Sequence, residues 1–156
     1  MSKAASSFVY VTYIRTTPEK LWRALTLPEF TRQYWAGTHQ VSDWKAGSDW
    51  AIMIPDGRVG DSGKIIEIDP PNKLVLTWQN QFVPGMQDEP HSRCTFLIEP
   101  RDEHVVKFTL LHESDVKDSK LIEGISEGWP GLLASLKSLL ETGAALPGDD
   151  QWPEGM

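Results

Sequence analysis

The sequence predicts an α+β domain in which a curved antiparallel sheet of about seven strands wraps around one long C-terminal helix. Three observations support this fold class. A strand-like segment opens the chain and two short helical segments follow it. About six further segments then alternate apolar and polar residues between turn signals, and one long amphipathic helix ends the pattern. Because such a sheet has an apolar face that must be covered, the long helix is the element expected to cover it.

The first strand is predicted over residues 8–15, which are rich in β-branched and aromatic side chains. Thr17 is a suitable N-cap and Pro18 fits the first position of a helix, so a short helix is expected to begin here. Pro28 begins a second short helix, and Gly37 is well placed to end it.

Six strand-like segments fill the middle of the chain. Turn signals such as Pro55-Asp56-Gly57 and Pro70-Pro71-Asn72 separate them. The glycine-rich residues 57–63 are interpreted as a hairpin turn, and residues 79–90, with one glycine and two prolines, as a long loop. The predicted strands cover about residues 40–44, 49–54, 59–69, 74–78, 93–99 and 105–112.

The last element is predicted as a helix over about residues 117–141, with an apolar stripe at helical spacing. Pro130 lacks an amide and is expected to bend or break this helix near Glu127, and Gly143 is a plausible stop. We expect one domain over residues 1–143 and a disordered acidic tail over 144–156. The stripe contains Leu121, Ile125, Trp129, Leu132, Leu136 and Leu139, widened by Leu133 and Leu140.

Several motifs, in order along the chain, resemble the Hsp90-ATPase-activator-homologue (AHSA1-like) branch of the START/Bet v 1-like (SRPBCC) superfamily. That resemblance covers about residues 8–143. It implies the helix-grip fold and a hydrophobic cavity between the sheet and the C-terminal helix. Lipid carriers, polyketide cyclases and stress proteins share this superfamily, so the resemblance does not specify one function. The motifs are TPEKLWRALT at 17–26, GKIIEIDPP at 63–71, KLVLTW at 73–78, LLHE at 110–113 and GWPGLLASLKSLLE at 128–141.

Composition excludes several classes of partner. The formal net charge of −7 disfavours phosphate backbones and anionic membrane surfaces, so we expect neither nucleic-acid binding nor membrane insertion. The single cysteine, Cys94, allows no internal disulfide and is consistent with a reducing compartment. Residues 8–14 are too short and too polar for a signal or membrane segment. We therefore expect a cytoplasmic protein.

The sequence carries no strong catalytic signature. The four histidines lack metal-binding spacing, and no nucleophile elbow, phosphate loop or dinucleotide fingerprint appears, so we predict no metal and no cofactor. His112 shares a strand face with Phe108 and Leu110. It either orients a ligand or acts as a base, or it is a structural histidine bonded to a backbone carbonyl, which we favour. No pair of carboxylates stands out as an acid and base.

We predict a domain that binds a hydrophobic small molecule, lipid-like or aromatic and polyketide-like, beneath a lid formed by the loop that holds Phe82 and Met86. Two alternatives remain open. One is a cyclase or aromatase-type enzyme, supported by a buried His112 opposite a tyrosine or carboxylate. The other is a chaperone or stress-response interaction module, and a homodimer is also possible. The predicted cavity residues are Trp35, Trp50, Met53, Trp78, Phe82, Met86, Phe96, Phe108, His112, Trp129 and Leu133.

Overall fold

The computed structural model describes residues 5–146, which form one seven-stranded antiparallel sheet and three α-helices. The strand order is β1-β7-β6-β5-β4-β3-β2, so β1 and β2 are the edges. The predicted α+β helix-grip class is therefore confirmed. The elements are β1 Ser6–Arg15, α1 Pro18–Thr26, α2 Pro28–Tyr34, β2 His39–Ser42, β3 Asp49–Met53, β4 Val59–Asp69, β5 Lys73–Asn80, a 3₁₀ turn Met86–Asp88, β6 Ser92–Pro100, β7 Val105–Ser114 and α3 Lys120–Thr142.

One face of the sheet packs against α3 to form the core. Burial alternates along β7, where Val106, Phe108, Leu110 and His112 are all buried. This confirms the predicted parity of that strand. On α3, the stripe that includes Trp129 buries its side chains against the same face. The sheet and helix therefore enclose a continuous apolar interior, as period-2 and period-3.6 patterns require.

Helix ends follow the expected capping chemistry. The hydroxyl of Thr17 accepts a hydrogen bond from the Lys20 amide at the start of α1. Helix α3 begins at Lys120, three residues later than predicted, because the Ser119 hydroxyl accepts from the Ile122 amide and caps it. Gly143 ends α3 with φ of 87°, as predicted. Most of the predicted tail, residues 147–156, lies outside the described residues.

Pro130 was expected to bend or break the long helix. A break is wrong, because α3 continues through Pro130 from Lys120 to Thr142. A proline removes one amide hydrogen bond from a helix. Here Trp129 and Leu133, on either side of it, are buried against the sheet. Burial of these two side chains offsets the missing hydrogen bond.

The glycine-rich segment is also not a turn throughout. The turn ends before Val59, and the rest of the segment lies in β4. Gly63 passes so close to β5 that a Cβ atom there would clash with the backbone oxygen of Thr77. The glycine is therefore needed for close approach of two strands. Register shifts between Ile52 and Met53 in the β3–β4 ladder and between Ile65 and Glu67 in the β4–β5 ladder accompany it.

The outer face of the sheet carries exposed apolar side chains on the edge strand β1. Val9, Val11 and Tyr13 are 57%, 45% and 41% exposed. The Lys137 ammonium of α3 donates to the carbonyl oxygen of Tyr13, and the Glu141 carboxylate accepts from the Arg15 amide at 2.9 Å. Side chains of α3 thus occupy the C-terminal end of this edge, at Tyr13 and Arg15. No helix within residues 5–146 is long and apolar enough to cross a bilayer.

Candidate functional site

Most of the predicted cavity residues meet in one aromatic cluster between the sheet and α3. Trp78 lies at its centre. The centre of the Trp78 ring is 4.6 Å from that of Trp50, 5.7 Å from that of Trp129 and 6.3 Å from that of Trp35. The Phe96 ring stacks on Phe108 and meets Trp129 edge-on, and Leu133 is buried in the same core. Trp35, at the C-terminal end of α2, stays partly exposed at the margin.

His112 is fully buried in this cluster and bonds to two side chains. The Trp129 indole N–H, which can only donate, reaches His112 Nδ1 at 3.3 Å. Nδ1 is therefore the acceptor, and the ring proton is assigned to Nε2, which lies 2.7 Å from the Ser92 hydroxyl. Ser92 in turn donates to the carbonyl oxygen of Trp78 at 3.0 Å. The four groups form one chain of hydrogen bonds in a single direction.

Burial keeps His112 neutral. Burial lowers the pKa of His112 from 6.5 to about 4, because the charged imidazolium would lose its hydration. A histidine that acts as a base toward Ser92 would need a free lone pair on Nε2, but that nitrogen carries the proton. Among residues 5–146, neither a tyrosine nor a carboxylate bonds to His112, so the described part of the chain does not meet the condition set for the cyclase alternative. Its two hydrogen-bond partners are side chains and not the expected backbone carbonyl.

The other two central tryptophans also donate to polar side chains that the sequence analysis missed. The Trp50 indole N–H donates to the side-chain oxygen of Gln40 at 2.8 Å. Gln40 in turn donates to the carbonyl oxygen of Leu25. The signal was present in the pattern, because Gln40 occupies an inward position of β2 where an apolar residue is usual.

Asp61 is the second missed residue. Its carboxylate oxygen Oδ1 accepts hydrogen bonds from the Trp78 indole N–H at 2.9 Å and from the side-chain amide of Asn80 at 3.1 Å. Burial raises the pKa of Asp61 from 3.8 to about 6, and these two hydrogen bonds offset only part of that effect. Asp61 was overlooked because the glycine-rich residues around it were interpreted as a turn. In the structure it lies in β4, opposite Ile52 and Asn80.

Met53 and Phe82 are not brought into the aromatic cluster. They line an open depression of about 1540 Å³ with Val41 and Val59. Met53 differs from the prediction because side chains alternate along β3: Trp50 points into the core, so Met53, three residues later, points to the outer face. Whether any predicted residue binds a ligand remains a prediction.

The loop over residues 81–91 crosses from β5 to β6 beside the start of α3. The Glu89 carboxylate accepts from the Ser119 hydroxyl at 2.6 Å and from the Lys120 amide at 2.8 Å, which adds a second cap to the helix. Met86 packs against the core beside Gly124 of α3. None of the eleven residues in this loop is buried. Within residues 5–146 no group of three His, Cys, Asp or Glu side chains suits a metal ion.

A family model described as "Activator of Hsp90 ATPase homolog 1-like protein" matches residues 15–141. No curated protein matches the sequence. Similar solved structures include protein MLL2253 from Mesorhizobium loti, with 24% identity, a TM-score of 0.71 and coverage of 86% of this chain and 96% of that one. A second is PFC0360w, an Hsp90 activator from Plasmodium falciparum, with 22% identity, a TM-score of 0.64 and coverage of 79% and 86%.

A third similar structure is DynU16, a protein of the dynemicin biosynthetic locus. Its identity to this chain is 16%, its TM-score is 0.70, and the match covers 89% of this chain and 48% of that one. At these identities, the likeness to all three structures shows the fold alone.

Replacing Asp61 with asparagine is expected to stabilise the protein at neutral pH. Because its folded pKa lies above its unfolded pKa, wild-type stability falls as pH rises from about 4 to about 6 and stays reduced above that. Asp61→Asn keeps an acceptor for Trp78 and Asn80 but carries no charge. Urea unfolding should show a gain of about 1–3 kcal/mol at pH 7.5 that vanishes near pH 4.

The exposed carboxyl of Asp43 provides the matched control, since Asp43→Asn makes the same change in net charge. His112 has the opposite effect: its lowered pKa costs stability as pH falls from 6.5 toward 4. The wild-type protein, Asp61→Asn and Asp43→Asn all contain His112, so its effect cancels when their free energies of unfolding are compared. A gain in the free energy of unfolding of Asp61→Asn that is equal at pH 4 and 7.5, or absent at both, would contradict a destabilising buried charge on Asp61.

Proposed function

Because this chain belongs to the family of Activator of Hsp90 ATPase homolog 1-like proteins, whose model spans residues 15–141, we propose that it uses the interior of its helix-grip fold to bind a small, apolar, ring-bearing molecule. The observation that carries this proposal is the aromatic cluster of Trp35, Trp50, Trp78 and Trp129 between the sheet and α3. The position of DynU16 in a biosynthetic locus is also in keeping with a small organic ligand.

The chemistry of the cluster favours an aromatic or polycyclic ligand. Trp rings present large, rigid apolar surfaces, and ring pairs at these distances gain from stacked and edge-to-face contact. The three central indole N–H groups already have partners, so a ligand need not satisfy them. Each Å² of apolar ligand surface buried here is worth roughly 25 cal/mol, before the costs of association.

The proposed entrance lies beneath the loop over residues 81–91. Its contacts with the rest of the domain include three side-chain hydrogen bonds. Gln79 donates to the carbonyl oxygen of Glu89, Gln87 donates to the carbonyl oxygen of Asn80, and the Ser119 hydroxyl donates to the Glu89 carboxylate. A segment with little buried apolar surface opens at low cost. Release of Glu89 from the start of α3 would move Met86 away from the helix and open a path toward Trp129. The lid predicted from the sequence is thus retained as part of the proposal.

A fluorescent apolar probe tests this site. N-phenyl-1-naphthylamine, which brightens in an apolar environment, should bind the wild-type protein saturably with one-to-one stoichiometry. Trp129→Leu removes one aromatic wall and should weaken binding at least about fivefold, or about 1 kcal/mol, as expected for loss of ring contacts. Affinity is measured by fluorescence titration at a temperature where thermal unfolding shows both proteins folded.

Met53→Ser is the matched control, because Met53 lies on the outer face and should leave probe affinity unchanged. The absence of any saturable binding to the wild-type protein would overturn the proposal. A loss of affinity in Met53→Ser but not in Trp129→Leu would move the site to the outer depression.

A protein partner is the second candidate function. The edge strand β1 favours this candidate. Val9 and Val11 are exposed on it, and it carries no charged side chain from Ser6 to Ile14. Charged side chains usually protect such edges from pairing with other proteins. The family name and the Hsp90 activator PFC0360w suggest an Hsp90 chaperone as the partner.

An Hsp90 ATPase assay tests this second candidate. The wild-type chain should raise the ATPase rate of purified Hsp90, and the double variant Val9→Ser/Val11→Ser should lose most of the increase because it loses apolar contact area. Val41→Ser/Ile66→Ser is the control, since these residues are similarly exposed, at 53% and 49%, on other strands. No increase with the wild-type chain, or equal activity of both double variants, would count against a partner at β1.

A further inference from the structure

Asp61 is a carboxylate on the inner face of the sheet with no cation beside it. In the ladder it lies opposite Ile52 of β3 and Asn80 of β5, both of which are buried on the side that faces α3. Its hydrogen bond to the Trp78 indole places the carboxyl against the central ring of the aromatic cluster. The residue is only partly exposed.

The two oxygens of Asp61 differ in their surroundings. Both hydrogen bonds, from Trp78 and Asn80, reach Oδ1, and among residues 5–146 no donor reaches Oδ2. The two cationic side chains close to Asp61 along the chain, Arg58 and Lys64, form ion pairs with other carboxylates. Arg58 pairs with Asp56 at 2.8 Å, and Lys64 pairs with Asp49 at 2.9 Å on the outer face. Asp61 therefore forms no ion pair within the described part of the chain.

A partly buried carboxylate without a cation is unfavourable, because it loses hydration and gains no opposite charge in return. A ligand that brings its own positive charge removes this deficit. The rings beside Asp61 suit the same charge, since the faces of Trp side chains attract ammonium groups. The ring centres of Trp50 and Trp78 lie only 4.6 Å apart next to this carboxylate. A carboxylate and the faces of tryptophan rings are together the groups expected to accept the N–H groups and the charge of an organic ammonium ion.

We propose that the interior site selects ligands that carry a protonated amine on an apolar, aromatic body, and that Oδ2 of Asp61 binds the ammonium group. This inference rests on the proposed function, since the aromatic body is assigned to the cluster around Trp78. It adds the class of ligand and assigns Asp61 a role in specificity. A neutral hydroxyl in the same place can hydrogen-bond to Oδ2 but leaves the charge uncompensated, so charge decides the preference.

A pair of probes with the same ring and chain length isolates that preference. The two molecules are 2-(1-naphthyl)ethylamine and 2-(1-naphthyl)ethanol, titrated into the wild-type protein at pH 7.5 by isothermal calorimetry. The wild-type protein should bind the amine at least about tenfold more tightly than the alcohol. In Asp61→Asn the ratio of the two affinities should fall to near one, mainly through weaker binding of the amine. Asp43→Asn, with the same change in net charge, should retain the wild-type ratio.

The possible outcomes separate this inference from the proposed function. Equal binding of both probes by the wild-type protein overturns the amine preference while leaving an apolar site intact. An amine preference that survives in Asp61→Asn overturns the role of Asp61. If the protein binds N-phenyl-1-naphthylamine but neither of these probes, the amine class is wrong and the apolar site stands. If it binds none of the three, both fail.

Discussion

The hydrogen bonds of His112 are the interaction on which the interior depends. Through Nδ1 the histidine ties β7 to Trp129 of α3, and through Nε2 it reaches Ser92 of β6, which continues to the backbone of Trp78 in β5. One uncharged side chain thus joins three strands and the covering helix at a single buried point. Removing any member would leave a buried donor or acceptor unpaired, which costs more than a typical hydrogen bond contributes.

The need to pair every buried donor also determines the rest of the aromatic cluster. Each central tryptophan is buried with its N–H bonded to a different polar side chain, Gln40, Asp61 or His112. Gln40 and His112 are neutral, so they can be buried at little electrostatic cost. Asp61 is the exception, because its charge has no partner within the described residues. An aromatic interior with one uncompensated carboxylate at its wall connects the fold to the proposed choice of ligand.

Much of the fold followed from periodicity in the sequence. Strict alternation placed Phe108 and His112 on the buried face of β7, and helical spacing placed Trp129 on the buried stripe of α3. The site was harder to predict because it depends on pairing between strands. Asp61 sits among glycines that resemble a turn, and only the register with β3 and β5 shows that it faces inward. Met53 was assigned wrongly although alternation along β3 already places it on the face opposite Trp50.

The most direct test of a ligand site in the aromatic interior is a two-dimensional NMR spectrum of ¹⁵N-labelled protein, with and without N-phenyl-1-naphthylamine. The free protein should show His112 as the tautomer with its proton on Nε2. On addition of the probe, the indole N–H signals of Trp78 and Trp129 should shift, while the amide signals of Val41 and Val59 stay in place. Shifts confined to Val41, Met53 and Val59, with unmoved indole signals, would contradict an interior site.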